Sequence, residues 1–248
     1  MGPTLRIIPS LLLSKGRLIK GKNFENHIDV GNPITTSKAF EAQGADEIFI
    51  IDLDQYKSSK QKKNSSQMLR DLSKNLMTSI TFGGGIKTFQ KAKECLRSGA
   101  DKIYLSSILF KNLDIVSEIS KVFGNQSIVC GINVIKKDDK YLLFENEKIN
   151  FDYWLEKINN LPVGEIKITF VNLEGSKKGF DVKFCKKLAT FFDHPLVIEG
   201  GIGNLNHIKQ AAQTSISGLA LGTILNFSEQ NIIKIKQFLT NEKIKVRS

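Results

Sequence analysis

Gly84-Gly85-Ile86…Leu105-Ser106-Ser107-Ile108-Leu109 and Gly200-Gly201-Ile202…Leu221-Gly222-Thr223-Ile224-Leu225 are one pattern written twice. The two copies keep a constant offset of 116 residues with no gap. Each reads as a strand end, a Gly-Gly, a helix, a second strand and then small or hydroxyl residues. A match of this length at this separation marks an internal repeat, and a repeat of strand–helix units constrains the fold more than any single motif does.

Outward from the repeat, short β-branched runs alternate with segments of helical spacing along the whole chain. Strands are predicted at 6–12, 47–53, 79–82, 102–105, 127–133, 165–170, 196–199 and 218–221. Helices are predicted at 33–43, 65–75, 88–97, 113–123, 152–160, 182–192 and 205–213, and the tail 230–239 reads as the last one. Nearly continuous apolar strands separated by helices indicate a parallel sheet covered by helices. Eight such strands in 248 residues favour closure into a (βα)8 TIM barrel, an α/β fold that commonly runs to about 250 residues as one domain. The sequence thus predicts a single barrel domain over 1–248. Its two half-barrels are roughly 5–124 and 125–240, with strands 3–4 in one copy of the repeat and 7–8 in the other.

Composition removes several function classes. Hydrophobic residues make up 41% of the chain, enough for a sizeable core. No window reaches the roughly 18 apolar residues of a membrane span, and Pro9 interrupts the apolar patch at 7–13. No membrane association and no secretory leader are expected, and a cytoplasmic location is. Cys95, Cys130 and Cys185 lie far apart without a CxxC, and His27, His194 and His207 bring no ligand spacing to them. Reduced thiols, no metal and no cofactor follow as expectations. His207 reads as a surface or capping residue, and Trp154 as a helix-packing one.

The net charge of +11 predicts an anionic partner. Base-edge reading leans on arginine, and here the cations are overwhelmingly lysines, with no basic stretch interleaved with stacking aromatics. The lysines at 57–63 read as a solvated loop. A phosphorylated small molecule explains the charge better than nucleic acid does. The repeat supplies a place for it. A Gly-Gly after a strand admits a ligand close to the backbone, and its N–H groups can cradle phosphate. A tight turn is the plainer reading of either pair alone. In barrels, phosphate sites commonly follow strands 7 and 8. Gly84, Gly85, Ser106 and Ser107 then form one anion pocket, and Gly200, Gly201, Gly222 and Thr223 a second. Two pockets across one mouth suit a ligand with a phosphate at each end.

Several further stretches of the sequence carry a family resemblance. Its carriers are Arg6-Ile7-Ile8, Gly16-Arg17, Lys20-Gly21-Lys22-Asn23-Phe24-Glu25-Asn26, Phe82-Gly83-Gly84-Gly85-Ile86, Gly99-Ala100-Asp101-Lys102, Gly164-Glu165-Ile166, Gly175…Gly179-Phe180-Asp181 and Gly200-Gly201. With these the chain resembles, over nearly its whole length, the cyclase subunit of imidazole glycerol phosphate synthase. The resemblance implies a (βα)8 barrel that binds a bis-phosphorylated ribonucleotide intermediate of histidine synthesis, with Gly175 joining the phosphate contacts. It also implies ammonia passed through the barrel from a separate glutaminase subunit, a class I amidotransferase docked on the N-terminal face. The family's ammonia gate is a ring of alternating charges, matched here by Arg6, Glu47, Lys102 and Glu165, and Asp101 matches an acidic residue of the glutaminase interface. A merely stabilising salt-bridge layer is the plainer reading of that ring.

The departures lie at the other end. The family's general acid and base are aspartates at the ends of strands 1 and 5, and those positions hold Leu12 and Asn133. Leu12 transfers no proton, and Asn133 hydrogen-bonds without titrating. The acidic position after strand 6 becomes Glu174, and 136–150 is shorter than the family's segment and lacks its Thr-Gly. Asp54, Glu174 and Glu199, near the ends of strands 2, 6 and 7, are the substitute acid–base candidates, with polar rim residues as the plainer reading. Phe24 and Phe180 are expected beside the mouth.

Leu11-Leu12-Leu13 after Arg6-Ile7-Ile8-Pro9 resembles cyclase-like proteins encoded with bacterial surface-polysaccharide genes. That likeness implies work with a glutaminase and an ATP-dependent amidotransferase, placing an acetamidino group on a sugar. The first expectation is therefore a barrel subunit that accepts ammonia and relays it for sugar amidination in lipopolysaccharide biosynthesis. The alternative is the cyclase-lyase of histidine biosynthesis. A silent subunit whose anion pockets regulate the partner glutaminase is a third reading.

Overall fold

A strand buried on both faces must be apolar on both, and the parallel strands of this protein are. A computed structural model describes residues 4–22, 25–56 and 65–247. Its parallel strands are β1 (Arg6–Ser14), β4 (Ile48–Asp52), β5 (Ile80–Gly83), β6 (Lys102–Leu105), β7 (Ile128–Lys137), β9 (Glu165–Phe170), β10 (Leu196–Glu199) and β11 (Gly218–Leu221). They pair in that order, and β11 returns to β1 through Arg6↔Gly218 to Pro9↔Leu221, closing the sheet into an eight-stranded barrel. Helices α1 (Pro33–Ala42), α2 (Ser65–Asn75), α3 (Phe89–Arg97), α4 (Asp114–Phe123), α5 (Phe151–Asn159), α6 (Val182–Phe191), α7 (Leu205–Ala212), the short α8 (Thr223–Asn226) and α9 (Ile232–Asn241) complete the strand–helix alternation. The fold is the (βα)8 barrel that the sequence predicts.

Period-two alternation decides what each strand residue touches. Ile7, Ile48, Ile50, Phe82, Ile103, Ile132, Ile166, Ile168 and Leu219 face outward, into the large core beneath the helices. The alternate residues Ile8, Phe49, Tyr104, Val129, Val197 and Ala220 form a separate buried cluster. This is the packed layer inside the barrel that such folds carry.

Two antiparallel hairpins extend the barrel beyond the eight expected strands. β1 runs past position 12 to Ser14, turns through Lys15 and Gly16 at φ of 51° and 73°, and returns as β2 (Arg17–Lys22), on which β3 (Glu25–Gly31) pairs. β8 (Lys140–Leu143) folds back on β7 through Asp138 and Asp139, at φ of 46° and 60°. Two successive positive φ values at an Asp-Asp match the primed turns that suit tight hairpins.

The internal repeat holds at the level of single backbone angles. Gly84 and Gly200 adopt φ of 109° and 104°, and Gly85 and Gly201 adopt 59° and 82°. The helices that follow are capped at equivalent positions, Thr88 accepting from the Lys91 N–H and Asn204 from the His207 N–H, which satisfies a donor otherwise left free in the first turn. Among the described residues, no helix is long and apolar enough to cross a membrane.

Candidate functional site

The strand ends that carry the repeat also shape a cavity of about 220 Å³ at the C-terminal mouth of the barrel. Its floor is charged. Lys167, mid-strand on β9 and 1% exposed, donates to Glu199 at the end of β10 and to Thr169 Oγ1 at 2.9 Å. Lys20 reaches in from β2 and pairs with Glu174, which follows β9. Both lysines and both glutamates are buried. Charges taken this far from water need partners at contact distance, and each has one. Burial drives the Glu199 carboxyl up, but Lys167 and Lys20 outweigh it and hold the group below its ordinary range. Burial pushes the Glu174 carboxyl up, with Lys20 opposing and Glu199 reinforcing the rise.

The wall beside Asn133 carries a different carboxyl. Asn133 Nδ2 donates to Glu145 Oε1 at 2.5 Å, and Ser106 Oγ donates to the same oxygen at 3.1 Å. Burial lifts the Glu145 carboxyl above its usual range despite these donors. The other oxygen, Oε2, is buried and has no partner among the described residues. Hairpin geometry delivers this group. β7 and β8 pair from Lys137↔Lys140 to Val134↔Leu143, and the Phe144 N–H then bonds the Asn133 carbonyl. The next residue, Glu145, turns back into the cavity.

The structure sorts the sequence-based candidates. Leu12, Asn133, Glu174 and Glu199 all line the mouth cavity, with Ser106 and Ser107. Asp54 does not. It accepts from Ser14 Oγ at 2.9 Å and from the Lys15 N–H, so it is used to hold the β1–β2 turn, and it lines a separate cleft with Asp52 and Met68. Asp54 is therefore withdrawn as a substitute acid. Phe180 lines another cleft, with Tyr141 and Asp181, and Phe24 lies outside the described residues. His207 Nδ1 accepts from the Gly203 N–H at 3.2 Å, a capping arrangement. Trp154 packs under its helix, stacked on Phe110 with centroids 4.4 Å apart. Glu145, Lys20, Lys167 and His27 line the cavity without having been singled out from the sequence. Lys167 had a readable signal, a lysine in the middle of the buried strand Glu165–Phe170.

The glycine pairs act first on packing. A Cβ at Gly84 would meet the Asp52 carbonyl oxygen at 2.1 Å, and one at Gly200 the Phe170 carbonyl oxygen at 2.7 Å. Each glycine thus lies against the end of the preceding barrel strand. The Gly201 N–H is already bonded to the Leu173 carbonyl. Gly175, at φ of 74°, turns the chain after Glu174. On the far side, a Cβ at Gly222 would meet Lys20 Nζ at 2.3 Å, and the buried hydroxyl of Thr223 has no partner among the described residues.

At the opposite end, Arg6, Glu47, Lys102 and Glu165 close a ring. Arg6 pairs with Glu47 at 3.0 Å and with Glu165, and Lys102 bridges the same two carboxylates at 2.8 and 3.4 Å. Every charge in the ring touches two of opposite sign. Asp101 sits beside this face, exposed, with Oδ2 accepting the Ile80 N–H at 2.8 Å. Between ring and mouth the axis is filled. The Lys167 ammonium stands 4.6 Å from the Phe49 ring centre and 5.2 Å from that of Tyr104, and a Cβ at Gly131 would strike the Tyr104 hydroxyl at 2.1 Å.

Comparison with known proteins agrees with this architecture. The sequence pattern of the family described as "Histidine biosynthesis protein" matches residues 6–231. Among similar proteins, the imidazole glycerol phosphate synthase subunit HisF of Clostridium botulinum (strain Alaska E43 / Type E3) is 32% identical over 254 residues, covering 98% of this chain and 99% of its own. The subunits of the same name from Methanococcus vannielii and Wolinella succinogenes are 31% and 30% identical, covering 98% of this chain and 99% and 97% of their own.

Proposed function

The chain belongs to the histidine biosynthesis protein family, as a HisF-like cyclase subunit, and from that premise we propose that it carries out ammonia-dependent chemistry on a phosphorylated small molecule at the barrel mouth. The reading takes the reaction of imidazole glycerol phosphate synthase as its first form, with a glutaminase subunit on the N-terminal face supplying ammonia. One observation carries it: three carboxyls, Glu145, Glu174 and Glu199, line the cavity that also contains Leu12 and Asn133. The positions read as acid and base from the family likeness are silent here, yet the mouth is not short of titratable groups. A cavity of about 220 Å³ is smaller than the roughly 300–1,000 Å³ of typical ligand pockets. It takes the reacting portion of a ligand whose phosphates lie on the loops outside. The test is to mix the purified chain with the bis-phosphorylated ribonucleotide intermediate and ammonium at alkaline pH. Imidazole product is expected, and a flat trace removes the reading.

A second reading is favoured by Leu12, an apolar side chain at the mouth where the family likeness implies an aspartate. In it the barrel relays ammonia to an ATP-dependent amidotransferase acting on an acetamido sugar in surface-polysaccharide synthesis. Lys167, Phe49 and Tyr104 across the axis oblige a relay to move that lysine first, which places this reading behind the other. Glutamine-derived nitrogen appearing in an amidinated sugar, and only in the presence of this chain, would restore it.

A further inference from the structure

Among the buried polar atoms without a partner in the described residues, two belong to the mouth: the Thr223 hydroxyl and Oε2 of Glu145. Only the carboxyl titrates in the range where enzymes transfer protons. The remaining charged groups of the cavity are engaged. Lys20 holds Glu174, and Lys167 holds Glu199. Each of these two carboxyls is tied to a buried ammonium, and that contact has to be broken before it can exchange a proton with a ligand. Glu145 has no such partner. Its Oε1 is fixed by two neutral donors, Asn133 and Ser106, and Oε2 is left for something else. Two positioned donors on one oxygen and none on the other leave Oε2 as the oxygen that carries the proton of the neutral carboxyl, with Asn133 setting the orientation of the group.

We propose that the Glu145 carboxyl is the proton-transfer group of the mouth cavity, acting on a phosphorylated substrate that presents a carbonyl to ammonia. This rests on the ammonia-dependent reading above. As the nitrogen lone pair forms the C–N bond, the carbonyl π pair moves onto oxygen, and that oxygen takes the proton from Glu145 Oε2. The Glu145 carboxylate then takes a proton back from the newly bonded nitrogen, so the carboxyl is regenerated and nothing is oxidised or reduced. Asn133 positions Glu145 and does not itself exchange protons. The groups facing the same cavity are Lys20 and His27 from the hairpin on β1, Tyr104 from β6, Lys167 from β9, Glu174 after β9 and Glu199 at the end of β10.

Turnover of the bis-phosphorylated ribonucleotide with ammonium is measured against pH for the wild type, for Glu145→Gln and for the double variant Asn133→Asp/Glu145→Gln. Glu145→Gln keeps the shape and the Asn133 contact, and should lower kcat by about 100-fold or more, the usual contribution of a general acid, with KM unchanged or lower. It should also abolish the alkaline limb of the wild-type pH profile. The double variant, which moves the carboxyl one side chain back, should recover at least a tenfold part of that loss. Near wild-type kcat in Glu145→Gln, or a loss confined to KM, would overturn the assignment and leave Glu145 as an anchor for the loop after β8. A wild type that makes no product takes down the ammonia-dependent cyclase reading itself, and the role of Glu145 with it.

Discussion

Ser106 and Gly222 stand at equivalent positions of the repeat, with φ and ψ of −132° and −87° in one and −114° and −80° in the other. The chain then enters a short helical turn in both. What arrives against that turn differs. In the first half-barrel the Ser106 hydroxyl donates to the Glu145 carboxyl. In the second, the Lys20 ammonium lies against Gly222. The two visitors come from the hairpins, which have no counterpart in the repeated stretch. The repeat therefore sets the shape of two similar cradles, and side chains from outside it set their charge. An anion is favoured on the Lys20 side and opposed on the Glu145 side whenever that carboxyl is ionised.

The largest effect expected from breaking this asymmetry is at Lys20. Lys20→Met leaves Glu174 buried without its cation, and should cost about 3–5 kcal/mol in urea unfolding. Lys20→Met/Glu174→Met should restore most of it, since the cost is of an unpaired charge rather than of lost volume. Next come the glycines. Gly84→Ala and Gly200→Ala both force a left-handed backbone on a Cβ, but the clash at Gly84 is with a carbonyl at 2.1 Å against 2.7 Å at Gly200. We expect about 3 kcal/mol for Gly84→Ala and about 2 kcal/mol for Gly200→Ala. Equal losses would show that the two cradles relax alike.

Smaller effects sharpen the charge difference. Glu145→Gln should tighten binding of inorganic phosphate, followed by ³¹P NMR, by about threefold to tenfold at alkaline pH, the scale of one like charge nearby at the effective dielectric of a protein surface. The gain should vanish in acid, where the wild-type carboxyl is already neutral. Stability should show the same group. Burial raises the Glu145 carboxyl in the folded chain. The folded state then binds more protons than the unfolded one in the window above the ordinary carboxylate range, and stability falls as pH rises through it. Glu145→Gln removes that slope. Its melting temperature should match the wild type near pH 4 and exceed it by about 2–4 °C at neutral pH, equivalent to roughly 1 kcal/mol in a chain of this size.

Much of the barrel and part of the mouth were legible beforehand. Strand positions followed from apolar runs, whereas the charge ring of Arg6, Glu47, Lys102 and Glu165 came only from the family resemblance. Glu145 was not legible, because Glu145-Asn146-Glu147 reads as a solvated turn. The missing step was the hairpin. Asp138-Asp139 as a tight turn pairs 137 with 140 and carries the register back to Asn133, which predicts a group after β8 at the mouth. Asp54 failed for the converse reason. A carboxylate just beyond a strand end looks free in a linear reading, whereas the β1–β2 turn had already claimed it.

By itself the sequence determined the alternation of apolar strands with helices that gives the parallel barrel, and its doubled Gly-Gly loops. Both are periodic features, and periodicity is a local property that a single chain records. Which charges meet was decided only by tertiary closure. β11 pairing with β1 brings Gly222 beside a lysine from the first hairpin. Lys20 and Glu174 pair across 154 positions of sequence. Buried charges are stable only in contact with a partner, and that partner is chosen by the three-dimensional path of the chain, so the chemistry of the mouth resides in contacts no linear pattern contains.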